Sequence, residues 1–291
     1  MTTIMKCAVL GSGNIGCDLL VKIMKSKYLE CVIFSGQRED SPGLAFAKNL
    51  GTPTSTKSIE AICLSKASIV FDATTAEAHK RHAKSLKDRF VIDMTPSHIG
   101  KMCVPLLNLE ECLKEKNVNM ISCGAQATIP LIAQLDSPEY VEIVSSVASK
   151  SAGIGTRNNI DQYTQTTSDA ITAFCGVKSK SIIIITPAEP PPMMTNTVYA
   201  LIKKKPNLKK TIKAMQKYVP GYTLSVAPTF LDNRLVFINK VKGQGDFLPP
   251  YAGNLDIINA AAMAVAETYA GKQEILEVAR DLKTNPMEAL Q

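Results

Sequence analysis

The sequence predicts an α/β chain in which a doubly wound parallel sheet is followed by an α+β second domain. Three observations predict this. An apolar strand near the amino end runs directly into a glycine-spaced loop and a helix. Short apolar strands then alternate with helices as far as residue 122. Beyond residue 139 the strands lengthen and alternate apolar with polar residues, the pattern of a half-covered sheet. A chain of 291 residues exceeds one ordinary core, and the pattern divides it into 1–130, 131–250 and a helical return, 251–291.

The first strand is Lys6 to Leu10, and the glycines of the next six residues fall at Gly11, Gly13 and Gly16. Leu19, Leu20, Ile23 and Met24 then recur at helical spacing. Strand, G-x-G-x-x-G and helix together form a dinucleotide-binding arrangement: Gly11 for the turn, Gly13 for close approach of a pyrophosphate, Gly16 for helix–strand packing. Cys31 to Phe34 is the second strand. Ser35 and Arg38 at its end suit the 2′-phosphate of NADP, while Glu39 and Asp40 suit the ribose diol of NAD; the sequence leaves both open.

Helices are expected over 41–51, 57–64, 76–87 and 107–116, and strands over 68–72 and 90–93. Thr74 and Thr75 follow a strand end, where parallel sheets bind ligands. Asn117 to Ser122 reads as a further strand, with Gly124 permitting a tight turn, a helix beyond it, and Pro130 in its first or second turn. Cys123 then sits at a helix N-terminus, where unpaired N–H groups and the dipole are expected to lower its pKa, and the same groups suit an oxyanion. That setting marks Cys123 as a candidate nucleophile.

In the second domain, strands are expected at 140–147, 181–186, 222–227 and 234–240. Helices are expected at 160–174, 195–202, 207–218, 257–270 and 274–282, with a flexible loop over 151–159.

Composition narrows the function classes. A net charge of +7 is partly collected in Lys203–Lys205 and Lys209–Lys210, and aromatics make up only 5%. That is too thin for nucleic-acid binding but suits a polyanionic substrate such as coenzyme A. The eight cysteines form no C-x-x-C pair, so zinc is not expected, and reduced thiols indicate a cytoplasmic protein. His79 and His82 read as surface histidines. No leader or membrane-length apolar run is evident, so no membrane partner is expected.

Five blocks carry a resemblance: 11–16, Asn117 through Cys123-Gly124-Ala125-Gln126 to Pro130, 150–161, Pro187 to Pro191 and Tyr251 to Ile257. Together they resemble acylating acetaldehyde dehydrogenase, the partner of 4-hydroxy-2-oxovalerate aldolase, within a wider likeness to glyceraldehyde-3-phosphate dehydrogenase. The resemblance implies that aldehyde, coenzyme A and NAD or NADP give acyl-CoA through a thioester on Cys123. It places Cys123, Asn196 and Gln126 in the catalytic set. It places Ser12, Gly13, Asn14 and Ile15 at the cofactor, beside Gly11, Gly16, Ser35, Arg38 and Thr74, which the glycine spacing and the strand ends put there. It adds Ser151, Ala152, Gly153, Ile154, Gly155, Thr156, Arg157, Asn158, Asn159 and Asn254 near the nicotinamide. A homodimer and an aldolase partner are also implied. Asn196 stands where the family commonly has an Asp proposed to activate the cysteine, and Asn cannot accept that proton. Arg38 stands where the family is usually acidic, and the stretch from Tyr222 to Tyr251 is shorter than expected for the family. A phosphorylating semialdehyde dehydrogenase, or a nucleotide-binding subunit with reduced activity, is the alternative.

Overall fold

The computed structural model describes residues 4–153, 157 and 160–284. Contacts divide the chain into two units. The first takes residues up to Met120 with Asp246–Leu248 and Asn259–Leu276; the second takes Ile121–Gly245, Pro249–Ile258 and the chain from Glu277. The break therefore falls ten residues before the expected 130, and the helix bearing Cys123 packs with the second unit.

The first unit is built on a seven-stranded sheet, every pairing parallel, in the order β3-β2-β1-β4-β5-β7-β6. The strands are β1 Met5–Leu10, β2 Leu29–Ser35, β3 Thr54–Ser55, β4 Ile69–Asp72, β5 Phe90–Asp93, β6 Lys101–Met102 and β7 Asn117–Asn119. All residues of β4 and β5 are buried, as expected where helices cover both faces. These helices are α1 Asn14–Lys25, α2 Pro42–Asn49, α3 Ile59–Leu64, α4 Ala76–His82 and α5 Pro105–Cys112. The expected helix 76–87 finishes as a 3-10 turn, Ala83–Leu86. Pro105 starts α5 two residues early because a first-turn proline loses no helical hydrogen bond. Ala8, Leu10, Val70, Val91, Ile62 and Leu86 form one core cluster, each large member contributing about 1.5–3 kcal/mol by leaving water. Strand order reverses between β1 and β4, so a ligand crevice belongs at their carboxyl ends.

The second unit carries a five-stranded sheet, β11-β12-β10-β8-β9, from β8 Tyr140–Ala148, β9 Ser179–Thr186, β10 Met194–Leu201, β11 Tyr222–Leu231 and β12 Arg234–Val241. Only β8 and β9 are parallel, joined through α7, Ile160–Cys175. Asp232 and Asn233, both at positive φ, turn β11 into β12, the conformation a two-residue hairpin requires. The helix expected at 195–202 is instead strand β10, which ends at Leu201. Thr195, Thr197 and Val198 favour extended backbone, and pairing on both sides decides the competition. Among the described residues the remaining α-helices are α6 Cys123–Ile132, α8 Lys209–Met215, α9 Gly253–Tyr269 and α10 Glu274–Thr284. Among the described residues, no helix is long and apolar enough to cross a membrane.

Candidate active site

The glycine loop of the first unit is shaped as its motif predicts. Gly11 has φ +116°, and a Cβ there would lie 2.5 Å from the Ala73 carbonyl oxygen, so only glycine fits against the turn after β4. A Cβ on Gly16 would lie 2.0 Å from the Gly11 oxygen. Gly13 has nothing within 4 Å of its Cβ position, and it caps α1 without a side-chain bond. Exposed Gly13 and Asn14 therefore leave the first N–H groups of a twelve-residue helix open to an anion. This cradle fits a dinucleotide pyrophosphate. Ser12 lies on the loop with its hydroxyl 2.8 Å from that of Ser41, and half-buried Ile15 accepts from Asn259 through its carbonyl.

The adenosine end differs from expectation. Ser35 is fully buried, and its hydroxyl donates to the Ser58 carbonyl at 2.9 Å, so it offers no proton to a 2′-phosphate. Arg38 is exposed and held by both carboxylate oxygens of Asp40, at 2.9 and 2.6 Å. Thr74 donates to Asp72 through both its backbone N–H and its hydroxyl, closing the turn that abuts Gly11.

His79 and His82 are not surface residues. His79 is fully enclosed between the carboxyl ends of β4 and β5, with Nδ1 2.9 Å from Asp72 and Nε2 3.5 Å from Asp93. Asp93 is also held by Ser97 and Asn119. Burial opposes charge on Asp72, but hydrogen bonds from His79 and Thr74, with His82 Nδ1 3.8 Å away, prevail and hold its pKa down to about 2. Burial likewise opposes charge on His79, yet the two carboxylates raise its pKa.

In the second unit Cys123 is the first residue of α6, after Ser122 as N-cap. Ser122 Oγ accepts from the Ala125 N–H at 3.0 Å. Ile121 has φ +66°, a strained value for a β-branched residue, so the turn into the helix bends here and not at Gly124. Gly124 has another role: a Cβ there would lie 2.3 Å from the Tyr163 hydroxyl and 2.9 Å from Ser145 Oγ. Pro130 sits inside α6, beyond its first two turns. Gln126 is wholly buried within the same helix.

The Cys123 sulfur lies 3.7 Å from the Tyr163 hydroxyl. The expected lowering of its pKa is not what the site produces: burial raises it, outweighing the lowering by the Tyr163 hydroxyl and by the N–H groups of Gly124 and Cys123. Removing water from the sulfur costs the anion more than the helix end returns.

Asn196, on β10, is fully buried. Its Oδ1 accepts from Ser145 at 2.7 Å and its Nδ2 donates to Asn239 Oδ1 at 2.6 Å. Asn239 donates in turn to the Ala127 carbonyl of α6, which also accepts from Tyr222. Ser145, Asn196 and Asn239 are register partners on β8, β10 and β12.

Of the 151–159 loop, Ile154, Gly155, Thr156, Asn158 and Asn159 lie outside the described residues. Ser151 is buried and donates to the Ala148 carbonyl; Ala152 is buried and Gly153 exposed. Arg157 donates to the carbonyls of Ala152 and Ser149. Asn254 donates to the Ser151 carbonyl at 3.2 Å, while its buried Oδ1 has no partner among the described residues.

Sequence reasoning missed Tyr163, Ser145 and Asn239. A signal was present: Ser145 interrupts Val141, Ile143 and Val147, and Asn239 interrupts Leu235, Phe237 and Val241, on otherwise apolar strand faces. Tyr163 precedes Thr167 by one helical turn, but nothing in the sequence aims that face at α6.

Comparison with known proteins identifies the family. Residues 123–249 match the family model for the dimerisation region of prokaryotic acetaldehyde dehydrogenase. An acetaldehyde dehydrogenase of Pectobacterium atrosepticum is 45% identical over 90% of this chain and 94% of its own length. That of Carboxydothermus hydrogenoformans is 44% identical over 98% of this chain and 100% of its own. That of Spirochaeta aurantia is 46% identical over 91% and 95%. The chain belongs to the acetaldehyde dehydrogenase family.

Proposed function

We propose that the protein interconverts a short aldehyde and its coenzyme A thioester, most simply acetaldehyde and acetyl-CoA, with Cys123 as nucleophile. The observation that carries this reading is a cysteine at the first position of a capped helix, with a phenol hydroxyl 3.7 Å from its sulfur. The sulfur attacks the aldehyde carbon, a C–S bond forms, and the carbonyl pair moves onto oxygen. The first-turn N–H groups of α6 stabilise that oxygen. Held on the glycine loop, a nicotinamide dinucleotide supplies the hydride acceptor. Loss of hydride leaves an acyl group on Cys123 as a thioester, which the thiol of coenzyme A takes, freeing the sulfur.

Asn254, through its unpartnered Oδ1, and the 151–159 loop are the groups we assign to the nicotinamide end. At the other end Arg38 favours NADP, and Asp40, which holds Arg38, moderates that preference. We also propose a cytoplasmic homodimer formed through the second unit. The family model for that region is one of dimerisation, and Ile184, Tyr199, Leu201, Val226 and Leu231 are large apolar residues exposed on its sheet. An aldolase partner is the further association that the family resemblance suggests.

Turnover with a panel of acyl-CoAs against NADH and NADPH tests the reading. Reduction of acetyl-CoA that Cys123→Ala abolishes, with cofactor affinity retained, is the expected result. A requirement for phosphate in place of coenzyme A, or full activity in Cys123→Ala, overturns it.

A further inference from the structure

Four polar side chains behind Cys123 form a hydrogen-bond chain whose direction is forced. A carbonyl can only accept, so Asn239 turns its Nδ2 to Ala127. Its Oδ1 then faces Asn196, which must donate through Nδ2. Asn196 Oδ1 therefore faces β8 and takes the only proton of Ser145. Ser145 Oγ, with no proton left, has none to give the neighbouring Tyr163 hydroxyl; the two oxygens lie 2.9 and 2.3 Å from the same point, the Cβ position of Gly124. The Tyr163 proton thus has two places to go, Ser145 Oγ or the sulfur of Cys123.

The tyrosine itself is held in place. Ser122 Oγ, which caps α6, lies 2.7 Å from Thr167 Oγ1, and Thr167 donates to the Tyr163 carbonyl. The cap of the nucleophile's helix therefore also sets the height of Tyr163 on α7. Glycine at 124 leaves the room its hydroxyl occupies.

We propose that Tyr163 is a catalytic residue: it donates its hydroxyl hydrogen bond to the Cys123 thiolate, and the chain through Ser145, Asn196 and Asn239 fixes Ser145 Oγ as the competing acceptor for the same proton. Forming the thiolate releases the thiol proton to water, and Tyr163 stays protonated throughout. Burial keeps the phenol pKa well above its ordinary value, consistent with a donor that does not ionise. In this arrangement Asn196 is a positioning residue, and an amide serves where an acid would not: only an amide both accepts from Ser145 and donates to Asn239.

The inference rests on Cys123 being the nucleophile, and one experiment separates the two. Peptide-resolved alkylation of Cys123 by iodoacetamide is followed against pH in the full-length wild type, Tyr163→Phe and Ser145→Ala. Acylation of Cys123 by acetyl-CoA is measured alongside. Loss of one hydrogen bond to an anion shifts the alkylation midpoint in Tyr163→Phe up by about one pH unit or more. Ser145→Ala removes the competing acceptor and leaves the midpoint level or lower. An unmoved midpoint in Tyr163→Phe, or an upward shift in Ser145→Ala, overturns the inference. Midpoints that move as expected on a Cys123 that acetyl-CoA never acylates support the hydrogen bond and overturn the proposed function instead.

Discussion

Gly124→Ala tests the packing around the sulfur directly. The added methyl would stand 2.3 Å from the Tyr163 hydroxyl and 2.9 Å from Ser145 Oγ. An ordinary contact needs about 3.4 Å or more, so the hydroxyl must retreat by about 1 Å. Two effects on stability oppose one another. Alanine in place of glycine gains at most about 1 kcal/mol of helix propensity. Overpacking a closed site costs about 1–3 kcal/mol. The variant is therefore expected to be less stable by roughly 0–3 kcal/mol, a change that leaves it folded. Activity responds more strongly. A hydroxyl displaced from the sulfur forfeits a hydrogen bond to an anion, about 1.5–3 kcal/mol, which lowers kcat/KM by about tenfold to a hundredfold at neutral pH. The loss should shrink as pH rises and the thiolate forms without help. Acetyl-CoA-dependent oxidation of NADH and NADPH across pH, with urea unfolding as control, measures both. A folded variant with wild-type kcat/KM at neutral pH would refute the reasoning.

Three further predictions follow from particular contacts. His79→Ala removes the cation between two buried carboxylates and should cost the first unit about 3–5 kcal/mol, read as faster hydrogen exchange in β4 and β5. Because the His79 pKa is raised on folding, its contribution is full below about 6.5 and fades as pH climbs through the raised value. Because the Asp72 pKa is lowered to about 2, its contribution holds above about 3.8 and fades as pH falls toward that value. Asp93, whose pKa burial raises, acts in the opposite sense and loses stability as pH climbs above about 3.8. Protection lost above about pH 6.5 is therefore the part assigned to His79, and an unchanged profile there in His79→Ala would contradict this. Arg38→Asp should shift the ratio of kcat/KM for NADP over NAD downward by about tenfold or more, since a phosphate-pairing cation becomes an anion; a constant ratio would exclude Arg38 as selector. Asn196→Asp places a carboxylate oxygen against Asn239 Oδ1 and should destabilise the second unit by about 1–3 kcal/mol in urea unfolding, whereas equal or greater stability would contradict the fixed direction of the chain.

Much of the first unit was legible because its signals are local. Glycine spacing, short buried strands and caps act within a few residues, and the parallel order follows from strand–helix alternation. His79 was misread because a histidine on a polar-looking helix carries no sign that two strand ends converge on it. Strand β10 was misread because Met194–Leu201 has mixed propensity and its extended form depends on β8 and β12, distant in sequence. That error hid the site's main feature. A helix at 195–202 gives Asn196 no relation to Ser145 or Asn239, whereas the strand register makes all three neighbours. Cys123 was found by its setting, but the sign of its pKa shift was not, because desolvation depends on what surrounds the sulfur and not on the helix that starts there.

The central claim is that Cys123 carries the substrate. Mass spectrometry of the protein after exposure to acetyl-CoA, without reduced nucleotide, tests it most directly. One acetyl group on the peptide containing Cys123, absent from Cys123→Ala and removed by added coenzyme A, is the predicted result. Acetylation confined to another side chain, or none at all, would contradict it.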